Sequence, residues 1–401
     1  MELYLQYAYG MKQLSIDLSN DWNGTTVILS PRDISAKQLQ KWQRDFTKAN
    51  IKTLFDPQCY FPKTNHKVLS KYEYWDNSFS TKLESNQKHE NRFIESIYKY
   101  NEISNTIQFI IPATMLKYDE DWFSRWKTQC ESLIIATENI VRDREHILTI
   151  AIPSNFLVQR EDEIEKIISV TEEWDVDGYY IIAEPPEGQY LVDRPLWLSN
   201  LMQICAGLKL QEKKVIMGYA NHQLLCLTAT KIDALATGTY LNVRHFTNKF
   251  EDEDSTKRKS TWYYYPAALS EYKIGFLDTA YSNGILNQMK PSIEMDNHYV
   301  DILFSGAMPS STVFNETMAF KHYLNCLRIQ IRDLSKKTFI ETINANEVLL
   351  ETAMRRIEFL EKNGVYAQTR SFRDIVDVNN SALQRLKKNR GPQLQFDWKL
   401  L

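Results

Sequence analysis

The sequence has few cysteines and no apolar stretch of membrane-spanning length. Its 401 residues include five cysteines, which lie far apart and form no CxxC pair: Cys59, Cys130, Cys205, Cys226 and Cys326. That spacing argues against a zinc ribbon and against a disulfide framework, and it favours reduced, buried thiols. No stretch approaches the roughly 18 apolar residues of a membrane span, and the first residues lack the basic and apolar regions of a signal peptide. We therefore expect a cytoplasmic chain without a membrane segment.

Signatures of bound cofactors and metals are also missing. No GxGxxG follows the first predicted strand, and the seven histidines form no HxH or HExxH motif. The formal net charge of −3 gives no overall attraction to nucleic acid or anionic lipid. We therefore predict neither a cofactor nor a metal, and any contact with nucleic acid would need a local basic patch.

Short apolar segments alternate with amphipathic segments through the first three-quarters of the chain, which is typical of repeated βα units. The regions 267–283 and 301–305 are expected to complete a set of strands that otherwise comprises residues 26–30, 51–55, 106–111, 146–152, 178–183, 214–217 and 233–236. Strands this short and continuously apolar are expected where a parallel sheet is covered on both faces. Their number favours an α/β fold with a closed, TIM-like (β/α)8 barrel over an open sheet.

From Asn315 onward the apolar residues recur with helical spacing. We therefore predict three parts: a (β/α) barrel over residues 1–311, a C-terminal helical extension over 312–388, and a linker with an apolar tail over 389–401. The tail ends in the sequence FDWKLL. It would either dock on this chain or bind a protein partner.

Polar residues cluster directly after the predicted strands. Barrel enzymes carry their reactive groups at the C-terminal ends of the strands, and a proline there ends strand pairing and holds the neighbouring polar side chain at the rim. Strand-ending prolines alone would not explain so many polar side chains at one end. The candidate substrate-binding residues are Arg32, Gln58, Tyr60, Gly218, Tyr219, Asn221, Gly238, Thr239, Asn242 and Arg244.

Asp56, Glu184 and His222 are the candidate catalytic residues. The two carboxylates follow strands and could act as an acid–base pair if their surroundings separate their pKa values. Alternatively, either carboxylate could form a scaffold salt bridge with Arg32 or Arg244. His222 could be a general base or could donate a hydrogen bond to a base ring, and it could equally be a helix cap.

Arg244 is the only cation in the stretch from Thr237 to Arg244. Gly238 has no Cβ, so a ligand could approach the backbone closely there. A guanidinium near that point could hold a phosphate or a carboxylate through two parallel hydrogen bonds. The alternative is that Arg244 forms a buried ion pair with Asp33 or Asp56.

A polar insertion over residues 251–259 directly precedes a run of aromatic residues that begins at Trp262. Beside Trp262, the cations Lys257, Arg258 and Lys259 could hold phosphates while the indole stacks on an exposed base of a nucleic acid. An acidic stretch followed by a basic stretch is equally typical of a solvated loop.

The segment KKVIMGYANHQLLCLTATKIDALATGTYLNVRHF, residues 213–246, resembles the late-barrel region of the tRNA-guanine transglycosylase superfamily. In that family a strand ends in a Gly-containing loop, a short helix follows, and the next strand leads toward an arginine. The family's zinc motif of cysteines and a histidine is absent, and Gly238 stands six residues before Arg244, where the nucleophilic aspartate would be expected. The resemblance implies a divergent relative, of the kind found among deazaguanine-handling proteins of bacterial antiviral defence loci. It implies that Asp56 is a base-recognising or general-base aspartate.

Two functions are therefore expected as alternatives. The first is a transglycosylase-like transferase that acts on or binds a nucleobase or nucleotide at the C-terminal rim of the barrel. Gln58, Asn221 and His222 would then face the substrate edge, because amides and imidazole match the donors and acceptors of a base. The second is a catalytically inactive barrel that serves as a binding or scaffold subunit of a multi-protein defence complex, with its apolar tail as a docking surface.

Overall fold

In the computed structural model, the chain forms a parallel β-barrel surrounded by helices. The structure describes residues 1–61, 67–75, 87–247, 260–292 and 298–401. The barrel strands are β1 (Glu2–Gln6), β2 (Thr25–Leu29), β3 (Ile51–Phe55), β4 (Gln108–Ile111), β5 (Glu145–Ile152), β6 (Gly178–Ala183), β7 (Lys214–Met217) and β8 (Ala234–Thr237). The predicted α/β class and TIM-like barrel are confirmed.

The strands form one sheet in the order β3-β2-β1-β8-β7-β6-β5-β4, and neighbouring strands are parallel. The two outer strands of this order also meet, because the backbone N–H of Ile107, just before β4, donates to the carbonyl oxygen of Thr53 in β3 at 3.0 Å. This closure brings the C-terminal ends of all eight strands to one end of the barrel.

Strand β1 is missing from the sequence prediction, which completes the set with residues 267–283 and 301–305 instead. That part of the prediction is wrong, because the first region holds an antiparallel strand and a helix, and the second is mostly a 3-10 helix. The reason is that β1 has no continuous apolar run. Leu3 and Leu5 are buried, whereas Gln6 places an amide inside the barrel, where a tyrosine hydroxyl of β6 donates to it.

Helices cover the outside of the barrel and follow the strands in turn. They are α1 (Lys12–Trp22), α2 (Ala36–Lys48), α3 (Gln87–Ser104), α4 (Trp122–Ile140), α5 (Glu161–Thr171), α6 (Pro195–Leu210) and, after β7, the 3-10 helix His222–Thr230. Ser35 caps α2 as predicted. The side chain of Gln38 accepts the backbone N–H of Ser35 at 2.8 Å, which is half of a capping box.

An inserted segment separates β8 from the next helix that packs on the barrel. It holds an antiparallel hairpin, β9 (Trp262–Tyr265) with β10 (Ser270–Lys273), followed by α7 (Ile274–Ser282). Helix α8 (Glu316–Leu334) then lies beside β1 and α1, where Trp22 Nε1 donates to Asn325 Oδ1 at 3.1 Å. Helix α8 therefore takes the position of the eighth barrel helix.

The predicted C-terminal helical extension is present and packs against the barrel. The predicted range over 312–388 also includes α8, which completes the ring of barrel helices, and the remaining helices are α9 (Phe339–Lys362) and α10 (Val376–Asn389). Asn379 Nδ2 donates to the carbonyl of Gln223 at 2.9 Å, which ties α10 to the 3-10 helix after β7. The boundary predicted at residue 311 stays a prediction, because helix and strand bounds do not show which parts fold independently.

A short helix, α11 (Gly391–Asp397), occupies the region predicted as a linker and apolar tail over 389–401. Leu394 and Trp398 are buried, whereas Phe396 and Leu400 are 88% and 74% exposed. One face of the tail therefore docks on this chain, which is the first of the two alternatives, and the other face meets solvent.

Candidate functional site

Asp56 lies directly after β3, inside the C-terminal end of the barrel, and is 1% exposed. Its Oδ1 accepts hydrogen bonds from the backbone N–H of Gln58 and from the hydroxyl of Tyr60, both at 2.9 Å. Its Oδ2 accepts from the hydroxyls of Tyr219 at 3.0 Å and Tyr180 at 3.4 Å. The structure therefore brings three of the predicted substrate-binding residues into contact with the predicted catalytic carboxylate.

Gln58 links this carboxylate to the loop after β2. Its Nε2 donates to the hydroxyl of Tyr219 at 3.0 Å, and its Oε1 accepts from Ser30 Oγ at 3.1 Å and from the backbone N–H of Arg32 at 3.0 Å. Gln58 and Tyr219 both have left-handed backbones, with φ of 55° and 52°. Such a conformation costs a non-glycine residue on the order of 1–3 kcal/mol and is common at ligand sites.

Tyr180 crosses the barrel interior from β6 to β1. Its hydroxyl lies 3.0 Å from Oε1 of Gln6, so its single proton is shared between Gln6 and Asp56. A Cβ on Gly218 would lie 2.6 Å from that hydroxyl, so the glycine makes room for Tyr180 rather than for a ligand. We call this set of side chains the Asp56 cluster: Gln6, Asp56, Gln58, Tyr60, Tyr180 and Tyr219.

The Asp56 cluster holds one polar atom that is not satisfied. Nε2 of Gln6 is buried and makes no hydrogen bond to any residue that the structure describes. Buried amide donors are nearly always paired with protein or with water. The atom is therefore a donor that a ligand or a water molecule can use.

Burial raises the pKa of Asp56 from 3.8 to about 6, although the hydrogen bonds to the carboxylate oppose this shift. A carboxyl group in this range exchanges its proton close to neutral pH. That property suits a general acid or base.

We expect this carboxyl to make the protein less stable as the pH rises from 4 to 7. The folded state holds the proton more tightly than the unfolded state, so the contribution of Asp56 is present below a pH of about 3.8 and is lost as the pH passes about 6. The difference between the two pKa values corresponds to about 3 kcal/mol in the free energy of unfolding. Chemical denaturation across this pH range would measure it.

The matched comparison is between Asp56→Asn and Asp193→Asn, because Asp193 is exposed. Relative to the unchanged chain, Asp56→Asn should gain stability progressively toward pH 7, while Asp193→Asn should follow the unchanged chain. If the free energy of unfolding depended on pH in the same way for all three proteins, the raised pKa of Asp56 would be contradicted.

Glu184 follows β6 and has different surroundings from Asp56. Its Oε2 accepts the backbone N–H of Ser154 at 3.1 Å, and its carbonyl accepts Trp197 Nε1 at 2.9 Å. Glu184 is half-buried, and among the described residues no hydrogen bond joins it to the Asp56 cluster. The two predicted catalytic carboxylates therefore lie in different surroundings, since Asp56 is buried and Glu184 is half-buried.

Asn221 and His222 begin the 3-10 helix after β7. Asn221 Oδ1 accepts the N–H of Gln223 at 2.9 Å as the helix cap, and its Nδ2 donates to the carbonyl of Tyr190 at 2.6 Å. His222 is 1% exposed, and burial lowers its pKa to about 4. Its ring neighbours are aromatic side chains of the inserted segment, α8 and the C-terminal extension. The histidine is therefore neutral and packed among aromatic rings, and its catalytic role stays a prediction.

Arg244 forms a buried ion pair with a residue that the sequence did not indicate. Its Nη1 lies 3.1 Å from Oε2 of Glu271 on β10, and Nη1 of Arg370 lies 2.8 Å from the same oxygen. The hydroxyl of Tyr190 donates to the other oxygen at 2.8 Å. Burial would raise the pKa of Glu271, but the two guanidinium groups hold it below its usual value, so the carboxylate is charged.

The stretch after β8 is shaped by contacts within the protein. Nε of Arg244 donates to the carbonyl of Gly238 at 3.0 Å, and a Cβ on Gly238 would lie 2.3 Å from the carbonyl oxygen of Gln6. The close approach at Gly238 is therefore to β1. Thr239 is buried and Asn242 is half-buried in the following turn. Arg244 therefore forms a buried ion pair, as one of the two alternatives predicts. Its partner is Glu271, however, and not Asp33 or Asp56.

The predicted nucleic-acid contact falls largely outside the described residues, since Lys257, Arg258 and Lys259 are not among them. Trp262 begins β9. The guanidinium of Arg370 lies 4.0 Å and the ammonium of Lys273 5.3 Å from its ring centre. The indole therefore contacts two cations of its own chain.

Aromatic side chains cover the Asp56 cluster. The ring centre of Phe246 lies 5.1 Å from that of Tyr60, 5.4 Å from that of Tyr219 and 5.9 Å from that of Phe61. A cavity beside Tyr219 holds only about 20 Å³, enough for about one water molecule. A ligand as large as a nucleobase would therefore have to displace the ring of Phe246.

Three important residues escaped the sequence analysis. The sequence prediction omits Gln6 because it omits β1, although a glutamine after alternating apolar residues is a usable signal. Tyr180 lies within a strand that reads as apolar, so nothing in the sequence distinguishes it. Glu271 is flanked by serine and tyrosine in a hairpin strand, and only the three-dimensional structure brings it to Arg244.

This chain has little similarity to known proteins. No protein-family model matches the chain, and no curated protein matches it. Among solved structures, it is similar to the carboxyl transferase domain from Rhizobium etli pyruvate carboxylase, solved with pyruvate, with 7% sequence identity and a TM-score of 0.36 over 97% of this chain. The chain spans 61% of the length of that structure. A similarity this low says nothing about function.

Three further properties follow from the described residues. No helix among them is both long and apolar enough to cross a membrane. Their histidine, cysteine, aspartate and glutamate side chains form no group of three that could hold a metal ion. All five cysteines are buried and free, which confirms the prediction of buried thiols.

Proposed function

We propose that this chain binds a nucleobase or nucleotide at the C-terminal end of its barrel, through the Asp56 cluster. The observation that carries the proposal is the pairing of two groups. One is a buried carboxyl with a pKa of about 6, and the other is the Gln6 amide, whose Nε2 has no partner among the described residues. A reducing, cytoplasmic location belongs to the same proposal and is supported by the free thiols.

The chemistry of a base edge suits this pairing. A guanine-like ring places N–H donors beside a carbonyl acceptor, and a carboxylate can accept from the former while an amide donates to the latter. Asp56 already accepts four hydrogen bonds, so a ligand must replace one of these donors. Tyr219 is the best candidate, because the small cavity lies beside it and the departure of its side chain would enlarge that cavity.

A transglycosylase-like transfer is the reaction that the sequence resemblance suggests. It needs a carboxylate that acts as a nucleophile or exchanges a proton, and Asp56 has a pKa suited to proton exchange. Glu184, half-buried after β6, could serve as a second carboxylate near the rim. This part of the proposal rests on the resemblance together with the pKa of Asp56.

Thermal-shift measurements with guanine, 7-deazaguanine and GMP would test the proposal. A ligand at 100 times its Kd stabilises the folded state by about 2.7 kcal/mol, which raises the Tm by a few degrees. We expect Asp56→Asn to abolish this rise and Gln6→Leu to weaken binding about tenfold, because a buried polar contact is lost. The surface control Asp193→Asn should bind normally. A folded, unchanged chain that none of the three ligands stabilises would overturn the proposal.

The second candidate function is that of a binding or scaffold subunit in a multi-protein assembly. The observation that favours it is the anchored tail, in which Leu394 and Trp398 are buried while Phe396 and Leu400 remain exposed. Phe396 lies on α11 and Leu400 lies just beyond its end, and apolar side chains exposed close together can form a contact with a protein partner. If the Phe396→Ser variant still bound every protein partner that the unchanged chain binds, this candidate function would be contradicted.

A further inference from the structure

A cleft of about 500 Å³ opens at the N-terminal end of the barrel, away from the Asp56 cluster. It lies between the turns that precede β2 and β3 and the last turns of α8. Its wall includes Lys52 on β3 and Arg328 and Arg332 on α8, together with the indole of Trp22. None of these residues takes part in the function proposed above.

The charges on this wall are poorly balanced. Of the described residues that line the cleft, three are cations, and Glu2 is the single carboxylate. Arg328 and Arg332 are four residues apart and therefore lie on the same face of α8, where like charges repel. Arg332 also pairs with the adjacent Asp333 at 3.0 Å, at the exposed edge of the helix.

Arg328 forms no salt bridge with a carboxylate within the described ranges. Its Nη2 donates to the carbonyl of Trp22 at 3.4 Å, and its guanidinium lies 5.1 Å from the centre of the indole ring. Partial burial and the charge of Arg332 lower the pKa of Arg328, although the charge of Glu2 opposes this shift. The negative end of the α8 dipole stabilises cations mainly within the last turn of the helix. It therefore stabilises the charge of Arg332 more than that of Arg328.

We propose that this cleft binds the phosphate group of a small molecule. Each guanidinium can donate two parallel hydrogen bonds to phosphate oxygens, and Lys52 adds a point charge. An anion would also relieve the repulsion between the two arginines. The cleft is concave and its volume lies within the range of about 300–1,000 Å³ that is usual for small-molecule sites. These features favour a phosphorylated small molecule over a nucleic-acid backbone.

Isothermal titration calorimetry with pyrophosphate, at an ionic strength fixed with potassium chloride, tests the proposal. We expect saturable binding to the unchanged chain and a loss of at least about tenfold in affinity for Arg328→Gln and for Arg332→Gln. Arg328→Lys should retain part of the affinity, because lysine keeps the positive charge but cannot donate two parallel hydrogen bonds. Arg355→Gln is the matched control, since Arg355 is exposed on α9 and does not line the cleft.

Other outcomes would overturn the proposal. These are no binding of pyrophosphate, or an equal loss of affinity in Arg355→Gln. The third contrary outcome concerns an RNA oligonucleotide without a terminal phosphate. If it bound more tightly than pyrophosphate and its binding depended on the same two arginines, the cleft would recognise a nucleic-acid backbone. Asp56→Asn should bind pyrophosphate normally, so failure of the function proposed for the Asp56 cluster would leave this result unaffected. Near-UV circular dichroism would verify that each variant is folded.

Discussion

Replacing Glu271 by leucine is expected to lower the free energy of unfolding by about 3–5 kcal/mol, because removing one member of a buried ion pair leaves an uncompensated charge. Two cations are affected here, since Arg244 and Arg370 both contact the same carboxylate oxygen of Glu271. Arg244 is almost completely buried, with 3% of its side chain exposed, and cannot turn toward water to recover its hydration. Urea denaturation monitored by fluorescence would measure the loss.

A surface pair provides the matched control. Glu163→Leu breaks an exposed contact with Lys166, and we expect a change within about 1 kcal/mol. Combining Glu271→Leu with Arg244→Met should recover part of the stability, because the double variant no longer buries the charge of Arg244. A Glu271→Leu protein as stable as the Glu163→Leu protein would show that the ion pair contributes little.

This ion pair explains how the C-terminal part of the chain holds the rim of the barrel. Glu271 belongs to the inserted hairpin, Arg244 to the loop after β8, and Arg370 to the segment between α9 and α10. The guanidinium of Arg244 also lies 3.6 Å from the ring centre of Tyr323 on α8. Arg244 therefore serves as a scaffold in this structure, and a role in holding a ligand would require breaking these contacts.

The fold could be predicted from the sequence wherever a strand is apolar on both faces. Strands such as Gly178–Ala183 are buried along their whole length and are read easily from composition. Strand β1 alternates between Leu3 and Leu5 on one face and polar side chains on the other, so it lacks that signal. The prediction therefore completes the set of strands with residues 267–283 and 301–305, which lie outside the barrel sheet.

Part of the candidate site was also predictable, and for a topological reason. Asp56, Gln58, Tyr60 and Tyr219 directly follow strands, and the ends of parallel strands converge in any closed barrel. The sequence could not show that Tyr180 reaches across the interior to Gln6, because that contact depends on barrel closure and on the space left by Gly218. Nor could it show that Asp56 would be sealed from water, which sets its pKa.

Replacing Trp398 by alanine is expected to destabilise the protein by about 3–5 kcal/mol, as is usual for a buried tryptophan. Trp398 is 3% exposed, and its ring centre lies 5.6 Å from that of Phe339 at the start of α9. Its Nε1 donates to the carbonyl of Lys336 at 3.3 Å, and the ammonium of Lys231 lies 4.9 Å from the ring centre. The side chain therefore joins the C-terminal tail both to α9 and to the turn before β8.

The informative comparison is with Phe396→Ala, which removes an aromatic side chain from α11, two residues before Trp398. Phe396 is 88% exposed, so its loss should change the free energy of unfolding by less than about 0.5 kcal/mol. Deleting residues 390–401 should destabilise the protein at least as much as Trp398→Ala, because the deletion also removes the buried side chain of Leu394. If the two single variants proved equally stable, the tail would not be docked in solution. A deletion that left the free energy of unfolding unchanged would also show that the tail is not docked. Both faces of α11 would then be available to a protein partner.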